Sequence, residues 1–300
     1  MSVPVAYATI LLIWSTTPLG IAFSNQTISP MAAVGMRMFI AAILGYAILR
    51  LFGIHISWGR KARRTYGFSL LGVFGAMTFT YLGAQYIPSG LISVIFALSP
   101  VLSNLLAMKL LGEGDFSPVR WIAFLVSFLG LAIICMDDWV VRGDGWIGVC
   151  SLLLAVFFYA LSGVLVQKER YQAHPLSITV GTLLCSLPLF ALSWYLFDGE
   201  IPALDFSSVS PWAVLYLAVF GSLLGFAAYF HIIRNLGATA VAMVTLVTPV
   251  MALILGSLLN NEPITMQMVI GTIGVLSGLV LYYSAGTIRR ARRAMRFTQK

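Results

Sequence analysis

The chain has 300 residues, of which 60% are hydrophobic and only 9% are charged, and its mean hydropathy is +0.95. Soluble proteins carry about 25% charged residues, so this composition excludes a water-soluble domain and predicts a surface that mostly faces lipid. The net charge of +8 does not indicate nucleic-acid binding. The cations cluster beside apolar segments, where they orient helices and attract anionic lipid.

The apolar stretches predict an all-α integral membrane protein, because a spanning helix needs about 20 mainly apolar residues. No basic residue precedes the first stretch and no small-residue cleavage site follows it, so we expect a retained helix rather than a signal peptide. The Gly, Pro and charge clusters delimit ten predicted spans, near residues 4–24, 30–52, 66–86, 89–111, 117–136, 146–167, 175–197, 211–233, 238–259 and 265–285.

The distribution of charge supports ten spans with both termini in the cytoplasm. This arrangement places 16 of the 18 Lys and Arg residues on the cytoplasmic side, leaving Arg142 in an outer loop and Arg37 inside a span. Seven of the ten acidic residues fall outside. A wrong count would mix the two sides, so we expect a multi-pass protein of a bacterial inner membrane, with anionic lipid at its cytoplasmic face.

The two halves of the chain share a pattern. The matching elements are Ser99-Pro100 with Thr248-Pro249, each followed thirteen residues after the proline by Glu113 or Glu262, Val73-Phe74-Gly75 with Val219-Phe220-Gly221, and Pro30 with Pro175. We therefore predict a first five-helix repeat over 1–144, a second over 145–286 and a basic cytoplasmic tail over 287–300. An odd number of helices inverts the second repeat relative to the first, as in secondary transporters, whose substrate site lies at the membrane midplane.

Pro100 and Pro249 lie near the centres of their predicted spans, where each removes a backbone hydrogen bond and favours a kink. Proline is common in membrane helices, which is the alternative explanation. Because both occupy the same position in their repeats, we expect them to act as hinges around a central cavity.

Several short motifs resemble the drug/metabolite transporter superfamily, and its EamA-type branch with the YddG-like amino-acid exporters in particular. The motifs are Trp14-Ser15, Pro30 with Arg37, Leu111-Gly112-Glu113 and Asn261-Glu262. The resemblance covers nearly the whole chain and implies ten helices around a central cavity, cytoplasmic termini, and export or exchange of small metabolites such as amino acids. In the second half, Tyr159 occupies the position that matches Trp14, and Thr182 occupies the position that matches Arg37. The two halves of the cavity therefore differ in chemistry, and the resemblance does not identify the substrate.

Arg37 is the sharpest candidate for substrate binding. It lies about 10 Å inside the second predicted span, where a guanidinium needs a partner or a wet cavity. It either attracts a substrate carboxylate or has a structural role, bonding loop carbonyls or reaching the outer interface. Both interpretations remain open.

Aromatic and amide side chains are the other cavity candidates, since aromatic faces suit amphipathic or cationic solutes. They are Trp14, Tyr81, Gln85, Tyr159 and Tyr229. Each of the aromatics is also a candidate for packing or for facing lipid. Asn104, one turn after Pro100, is expected to bond the carbonyl freed by the kink.

Three further residues are candidates for structural or gating roles. Glu113 and Glu262 end matching spans on opposite sides of the membrane, which favours a shared structural task over gating. His231 is the one histidine inside a predicted span, and no carboxylate accompanies it there, so proton coupling through buried acids is poorly supported.

The sequence predicts no cofactor, no metal site and no enzymatic activity. Its three histidines lie far apart, and the spans contain neither paired carboxylates nor metal-ligand spacings.

Cys135, Cys150 and Cys185 are expected to pack in helices, with a Cys135–Cys150 disulfide as the alternative. The Gly274/Gly278 face of the last helix allows close packing within the chain or in a dimer, and we expect a monomer. Besides a membrane-embedded enzyme, a structural or signalling protein is the other alternative to a transporter, but such proteins usually carry a long loop or a soluble domain.

Overall fold

The computed structural model describes residues 2–112, 118–136, 143–241, 244 and 247–298, with backbone alone for residues 239, 283 and 285–298. This part of the chain is helical and contains no strand. In chain order, its α- and π-helices are α1 Val3–Ser24, α2 Pro30–Leu51, α3 Arg60–Leu70, π1 Leu71–Ala76, α4 Met77–Gly83, α5 Ser89–Phe96, α6 Ser99–Leu111, α7 Pro118–Cys135, α8 Gly145–Glu169, α9 Pro175–Phe197, α10 Ser210–Tyr216, π2 Leu217–Leu224, α11 Gly225–Leu236, α12 Ala238–Val241, α13 Thr248–Asn260 and α14 Met266–Thr298.

The helices confirm a multi-pass membrane protein. Seven described segments are long and apolar enough to cross a bilayer, namely Val3–Ser24, Pro30–Leu51, Ser89–Leu111, Pro118–Cys135, Gly145–Glu169, Pro175–Phe197 and Ser210–Leu236. Thr248–Asn260 and Met266–Tyr282 are shorter apolar helices. The count of ten crossings stays a prediction, because α3, with four cations among its first five residues, is not among these segments. The last helix runs beyond its predicted end near residue 285 and continues to Thr298.

The outer surface of the bundle is apolar, as a lipid-facing surface must be. Large side chains such as Phe39, Leu129, Leu196 and Leu258 are more than half exposed. A soluble monomer does not leave such extended apolar faces open to water. The bilayer therefore covers these faces.

Helices α7 and α14 pack with their backbones in contact. A Cβ atom added to Gly130 would lie 2.6 Å from both the Gly271 carbonyl oxygen and the Val275 nitrogen, and one added to Gly274 would lie 2.9 Å from the Gly130 Cα. Small residues permit this approach in membranes, where close packing takes over from the hydrophobic effect. The glycine face of the last helix is thus used within the chain.

Two π-helical segments lie at corresponding places in the two halves. Segment π1 contains Val73-Phe74-Gly75, and π2 contains Val219-Phe220-Gly221. π-Helices are rare and frequently mark functional sites. The repeated triplet therefore coincides with a repeated distortion of the helix.

The first proline-containing segment, Ser89–Leu111, is long and apolar enough to span a bilayer, and a two-residue break rather than a kink precedes its proline. Helix α5 ends at Phe96 and α6 begins at Ser99. In the second half α13 begins at Thr248, and residues 242, 243, 245 and 246 before it lie outside the described part of the chain. Pro100 and Pro249 lie in the first turns of α6 and α13. Proline is tolerated there because the first turn has no intrahelical partner for its missing N–H.

Candidate functional site

A cavity of about 90 Å³ lies between helices from both halves of the chain. Four of the predicted cavity residues line it: Trp14 from α1, Arg37 from α2, Tyr159 from α8 and Tyr229 from α11. The wall is mostly apolar, with hydroxyl groups such as those of Ser69, Ser93 and Thr248 among its residues. A largely apolar cavity with a few polar groups is typical of a small-molecule site.

Arg37 is 1% exposed, and its guanidinium joins three helical segments. Its Nε donates to the Ser222 hydroxyl of π2 at 2.7 Å, and its Nη1 lies 3.4 Å from the Tyr81 hydroxyl of α4. No carboxylate lies within ion-pair distance of Arg37 among the residues that the structure describes. Arg37 therefore links helices, and it does so at the cavity wall rather than at a loop or the outer interface. Binding of a substrate carboxylate stays a prediction.

Three aromatic rings form a continuous wall of the cavity. The Trp14 and Tyr159 ring centroids are 5.9 Å apart, those of Tyr159 and Tyr229 are 5.5 Å apart, and those of Trp14 and Tyr229 are 6.2 Å apart. Phe96, the last residue of α5, continues this wall at 5.9 Å from Tyr159. Edge-to-face and tilted contacts at these distances stabilise the rings against one another. The wall therefore offers aromatic ring surface to the cavity and contains no charged side chain.

Two residues predicted for the cavity lie outside it. Tyr81 is fully buried, and it contacts Arg37 rather than lining the cavity. Gln85 is exposed beyond the end of α4, where its side chain donates to the Leu82 carbonyl at 3.4 Å. Helix α4 ends at Gly83, so a helical face does not extend from Tyr81 to Gln85.

Asn104 is buried in α6. The contact that the structure gives its amide is with the Met108 sulfur at 3.7 Å, not with a carbonyl. The expected bond to a carbonyl freed by Pro100 is therefore absent from its described contacts. The bond was expected because a kink at Pro100 would leave a carbonyl without its helical partner. Instead a new helix, α6, begins at Ser99, so Pro100 lies in a first turn.

Glu262 holds two segments together at the predicted outer end of the bundle. Its carboxylate accepts hydrogen bonds from the Ser89 hydroxyl at 2.9 Å, the Gly90 amide at 3.3 Å and the Asn260 side chain at 2.9 Å. Ser89 and Gly90 begin α5, so this acid joins the end of α13 to the start of α5. Glu113, its counterpart, lies outside the described residues.

A larger cavity of about 570 Å³ opens at the predicted cytoplasmic end. Its lining includes Lys168, Arg170 and Arg234, and Phe230 belongs to the walls of both cavities. We call this space the vestibule. His231 follows Phe230 in α11 but lines neither cavity, and its buried Nε2 has no hydrogen-bond partner within the described part of the chain.

Sequence reasoning did not identify Ser222 and Phe230, or Ser89 and Asn260. Ser222 directly follows the repeated Val-Phe-Gly triplet, which was the available signal. Ser222 is 185 residues away from Arg37 in the chain, and nothing in the sequence indicated that the two side chains are in contact. No group of His, Cys, Asp and Glu residues suited to a metal ion occurs among residues 2–112, 118–136, 143–241, 244 and 247–298.

Comparisons with known proteins agree with this architecture. The model of the EamA-like transporter family matches residues 4–136 and again residues 146–284. An uncharacterized transporter of Archaeoglobus fulgidus is 25% identical, with 89% of this chain and 94% of that protein covered. Protein PagO of Salmonella typhimurium is 26% identical, with 94% and 92% covered.

Two further similarities concern the location and the fold. The uncharacterized inner membrane transporter YedA of Escherichia coli is 26% identical, with 85% of this chain and 81% of that protein covered. A solved crystal structure superimposes with a TM-score of 0.70 at 17% identity, covering 94% of this chain and 97% of the other. At that identity, the superposition shows the fold alone.

Proposed function

The chain belongs to the EamA-like transporter family, and on that premise we propose that it exports or exchanges small organic metabolites, amino acids among them. In this proposal it lies in a bacterial inner membrane with both termini in the cytoplasm. The relatives named as transporters, one of them an inner membrane transporter, support this assignment.

The observation that carries the proposal is the position of Arg37. A buried guanidinium at a cavity wall, with no carboxylate in ion-pair distance among the described residues, leaves an uncompensated positive charge. Burying such a charge is costly unless an anion or water faces it. A substrate carboxylate meets this need, and Arg binds carboxylates through two parallel hydrogen bonds.

The aromatic wall supplies the second half of the recognition. Trp14, Tyr159 and Tyr229 offer ring faces against which an apolar solute side chain packs. A solute with a carboxylate at one end and an apolar group at the other complements both features. An amino acid with an apolar side chain fits this description.

Alternating access is the proposed mechanism, with residues 1–144 and 145–286 as inverted repeats. The matched π-helical segments support it, as do the break before Pro100 and the matched positions of Pro100 and Pro249 in the first turns of α6 and α13. A break leaves two short helices that can change their mutual angle without bending a hydrogen-bonded ladder. The proposed hinges thus lie beside the cavity, which Phe96 and Thr248 help to line.

Flux measurements test the proposal. Purified protein in liposomes is expected to move carboxylate-bearing solutes down a gradient, in a panel that also contains cationic drugs, nucleosides and sugar phosphates. The transport assignment fails if no member of this panel shows protein-dependent flux from a protein that remains folded.

A pair of variants separates substrate binding by Arg37 from its structural role. Arg37→Gln removes the charge, and we expect kcat/KM for carboxylate solutes to fall about 30-fold or more, because a lost charged hydrogen-bonded pair costs about 2–5 kcal/mol. Ser222→Ala removes the 2.7 Å tether but keeps the guanidinium, and a fall of less than about fivefold is expected from one lost hydrogen bond. Equal losses in both variants would assign Arg37 a purely structural task. Size-exclusion chromatography checks that each variant is folded.

A further inference from the structure

The vestibule at the predicted cytoplasmic end is larger and far more polar in its lining than the central cavity. Its volume is about 570 Å³, and five of its lining residues are long cationic or amide side chains. These are Gln167, Lys168, Arg170, Gln172 and Arg234. The orientation signal of a membrane protein explains cations at this end of the bundle. It does not explain why they line one concave space.

Local contacts fix two of these side chains in place. The Arg234 guanidinium donates to the Ala173 carbonyl at 2.8 Å, which ties α11 to the loop before α9. The Gln167 side-chain oxygen Oε1 accepts a hydrogen bond from the Ala238 backbone amide at 2.9 Å and thereby holds the start of α12. The wall of the vestibule is therefore an ordered part of the fold rather than a set of freely moving surface side chains.

Glu169, the acid between Lys168 and Arg170 in the chain, is engaged elsewhere. Glu169 pairs with Arg64 at 3.8 Å and does not line the vestibule. The positive field at this site also affects His174, since burial and, secondarily, the nearby Arg234 charge lower the pKa of that histidine. Positive potential inside a concave surface concentrates anions from solution.

Phe230 connects this space to the central cavity. Its side chain is 2% exposed and belongs to the walls of both cavities. On the far side of Phe230 lies the cavity that Arg37 lines. A solute that leaves the vestibule past Phe230 therefore goes from one cationic site to the next.

We infer that the vestibule is a separate binding site for the anionic group of a soluble carboxylate solute, which it captures from the cytoplasm before the solute passes Phe230 towards Arg37. The inference rests on the proposed transport function. It adds a second site, made by Lys168, Arg170 and Arg234, and a charge requirement for access from the cytoplasm.

Thiol modification measures the potential in the vestibule without any transport. Gln172, exposed at the vestibule wall, is changed to Cys, and His55→Cys provides a reference site in another exposed loop. Each is made in protein whose three free cysteines are replaced by alanine. An anionic ethylsulfonate and a cationic trimethylammonium methanethiosulfonate are compared in phosphatidylcholine nanodiscs. The anionic-to-cationic rate ratio is expected to be about tenfold higher at position 172 than at position 55.

Neutralising the vestibule tests whether its own cations cause that ratio. The triple change Lys168→Gln, Arg170→Gln and Arg234→Gln is expected to abolish the advantage at position 172. A matched triple change of Arg60, Lys61 and Arg63 to Gln removes as much charge from the start of α3. It is expected to alter the anionic-to-cationic rate ratio at position 172 less than twofold. An advantage that survives the first change, or falls equally in both, overturns the inference.

Two additions identify the anion. Succinate is expected to slow anionic modification at position 172 saturably, beyond the effect of sodium chloride at equal ionic strength, and failure to do so overturns the inference. Phosphatidylglycerol in the nanodiscs is expected to leave the advantage over position 55 in place. Its loss would make lipid headgroups the occupant and overturn the assignment to a soluble anion. If the vestibule passes every test while no carboxylate solute crosses liposomes, the proposed function fails and the anion site stands.

Discussion

Removing the charge of Glu262 is expected to open the predicted outer end of the bundle. The carboxylate accepts three hydrogen bonds, from Ser89, Gly90 and Asn260, and two of these cross from α13 to α5. Glu262→Gln keeps the size of the side chain but replaces one acceptor oxygen by a donor. Any outward-opening motion that separates α5 from α13 must break the same contacts, so the variant weakens closure.

The contacts set the size of the effect. A hydrogen bond to a charged group is worth about 1.5–3 kcal/mol when well shielded from water, and Glu262 is only half-buried. Glutamine retains one acceptor, so we expect a net loss of about 1–2 kcal/mol in favour of the closed outer end. That corresponds to a shift of about 5–30-fold in the ratio of closed to open molecules.

Accessibility of the central cavity from outside is the appropriate assay. Ser93 is 5% exposed and lines the cavity, so Ser93→Cys reports opening when a membrane-impermeant thiol reagent is added to right-side-out vesicles. Glu262→Gln is expected to raise the modification rate about tenfold. Glu200→Gln, which changes an exposed acid at the same end, is expected to leave the rate unchanged. A rate in folded Glu262→Gln protein equal to that of the Glu200 variant would refute this account of closure.

Two further predictions concern packing and charge. Gly130→Ala is expected to destabilise the protein by about 1–3 kcal/mol and to lower its Tm, because the new methyl group lies 2.6 Å from the Gly271 carbonyl oxygen. The control Gly35→Ala places its methyl group more than 4 Å from any neighbouring atom and is expected to leave the Tm unchanged. Equal Tm values for the two variants in detergent would contradict this packing. Burial and, secondarily, the Arg234 charge hold the His174 pKa below its ordinary value of about 6.5. The stability that the neutral histidine contributes is therefore fully present above a pH of about 6.5, and it is lost as the pH falls through the lowered pKa. In an NMR titration, Arg234→Gln is expected to raise the His174 pKa part of the way back, and an unchanged pKa would show that the Arg234 charge does not contribute to the shift.

The sequence correctly predicted an all-α multi-pass membrane protein, because hydrophobic length is read directly from the residues. The ten crossings and the cytoplasmic termini, which rest on charge asymmetry, stay predictions. The sequence also identified Arg37, Trp14, Tyr159 and Tyr229, which do line one cavity. The free-energy cost of burying a charge explains this agreement: an arginine inside an apolar segment needs polar surroundings, which here are the Ser222 and Tyr81 hydroxyls beside the cavity. The amino-acid pattern therefore pointed to side chains that share one cavity, and their role in substrate binding stays a prediction.

Contacts between distant segments were beyond the sequence. The Arg37–Ser222 bond joins residues 185 positions apart, and serine in an apolar helix gives no sign of its partner. Gln85 was misplaced for a local reason, since the helical spacing from Tyr81 holds only if the helix continues, and α4 ends at Gly83. Pattern reasoning assumes regular helices and fails where a helix ends, breaks or widens into a π-segment.

The segments before the two matching glutamates show how local sequence encodes a contact that looks long-range. Helices α6 and α13 each have 13 residues, and each is followed by a residue in the left-handed conformation, Gly112 with φ 65° and Asn261 with φ 51°. Glycine and asparagine are the residues that adopt this conformation at least cost. At Asn261 the reversal lets the Glu262 amide donate back to the Gly256 carbonyl at 3.2 Å, which aims the carboxylate along the helix end towards Ser89. The cross-helix closure at this end thus depends on a single backbone reversal, and the chain places the same kind of residue immediately before Glu113.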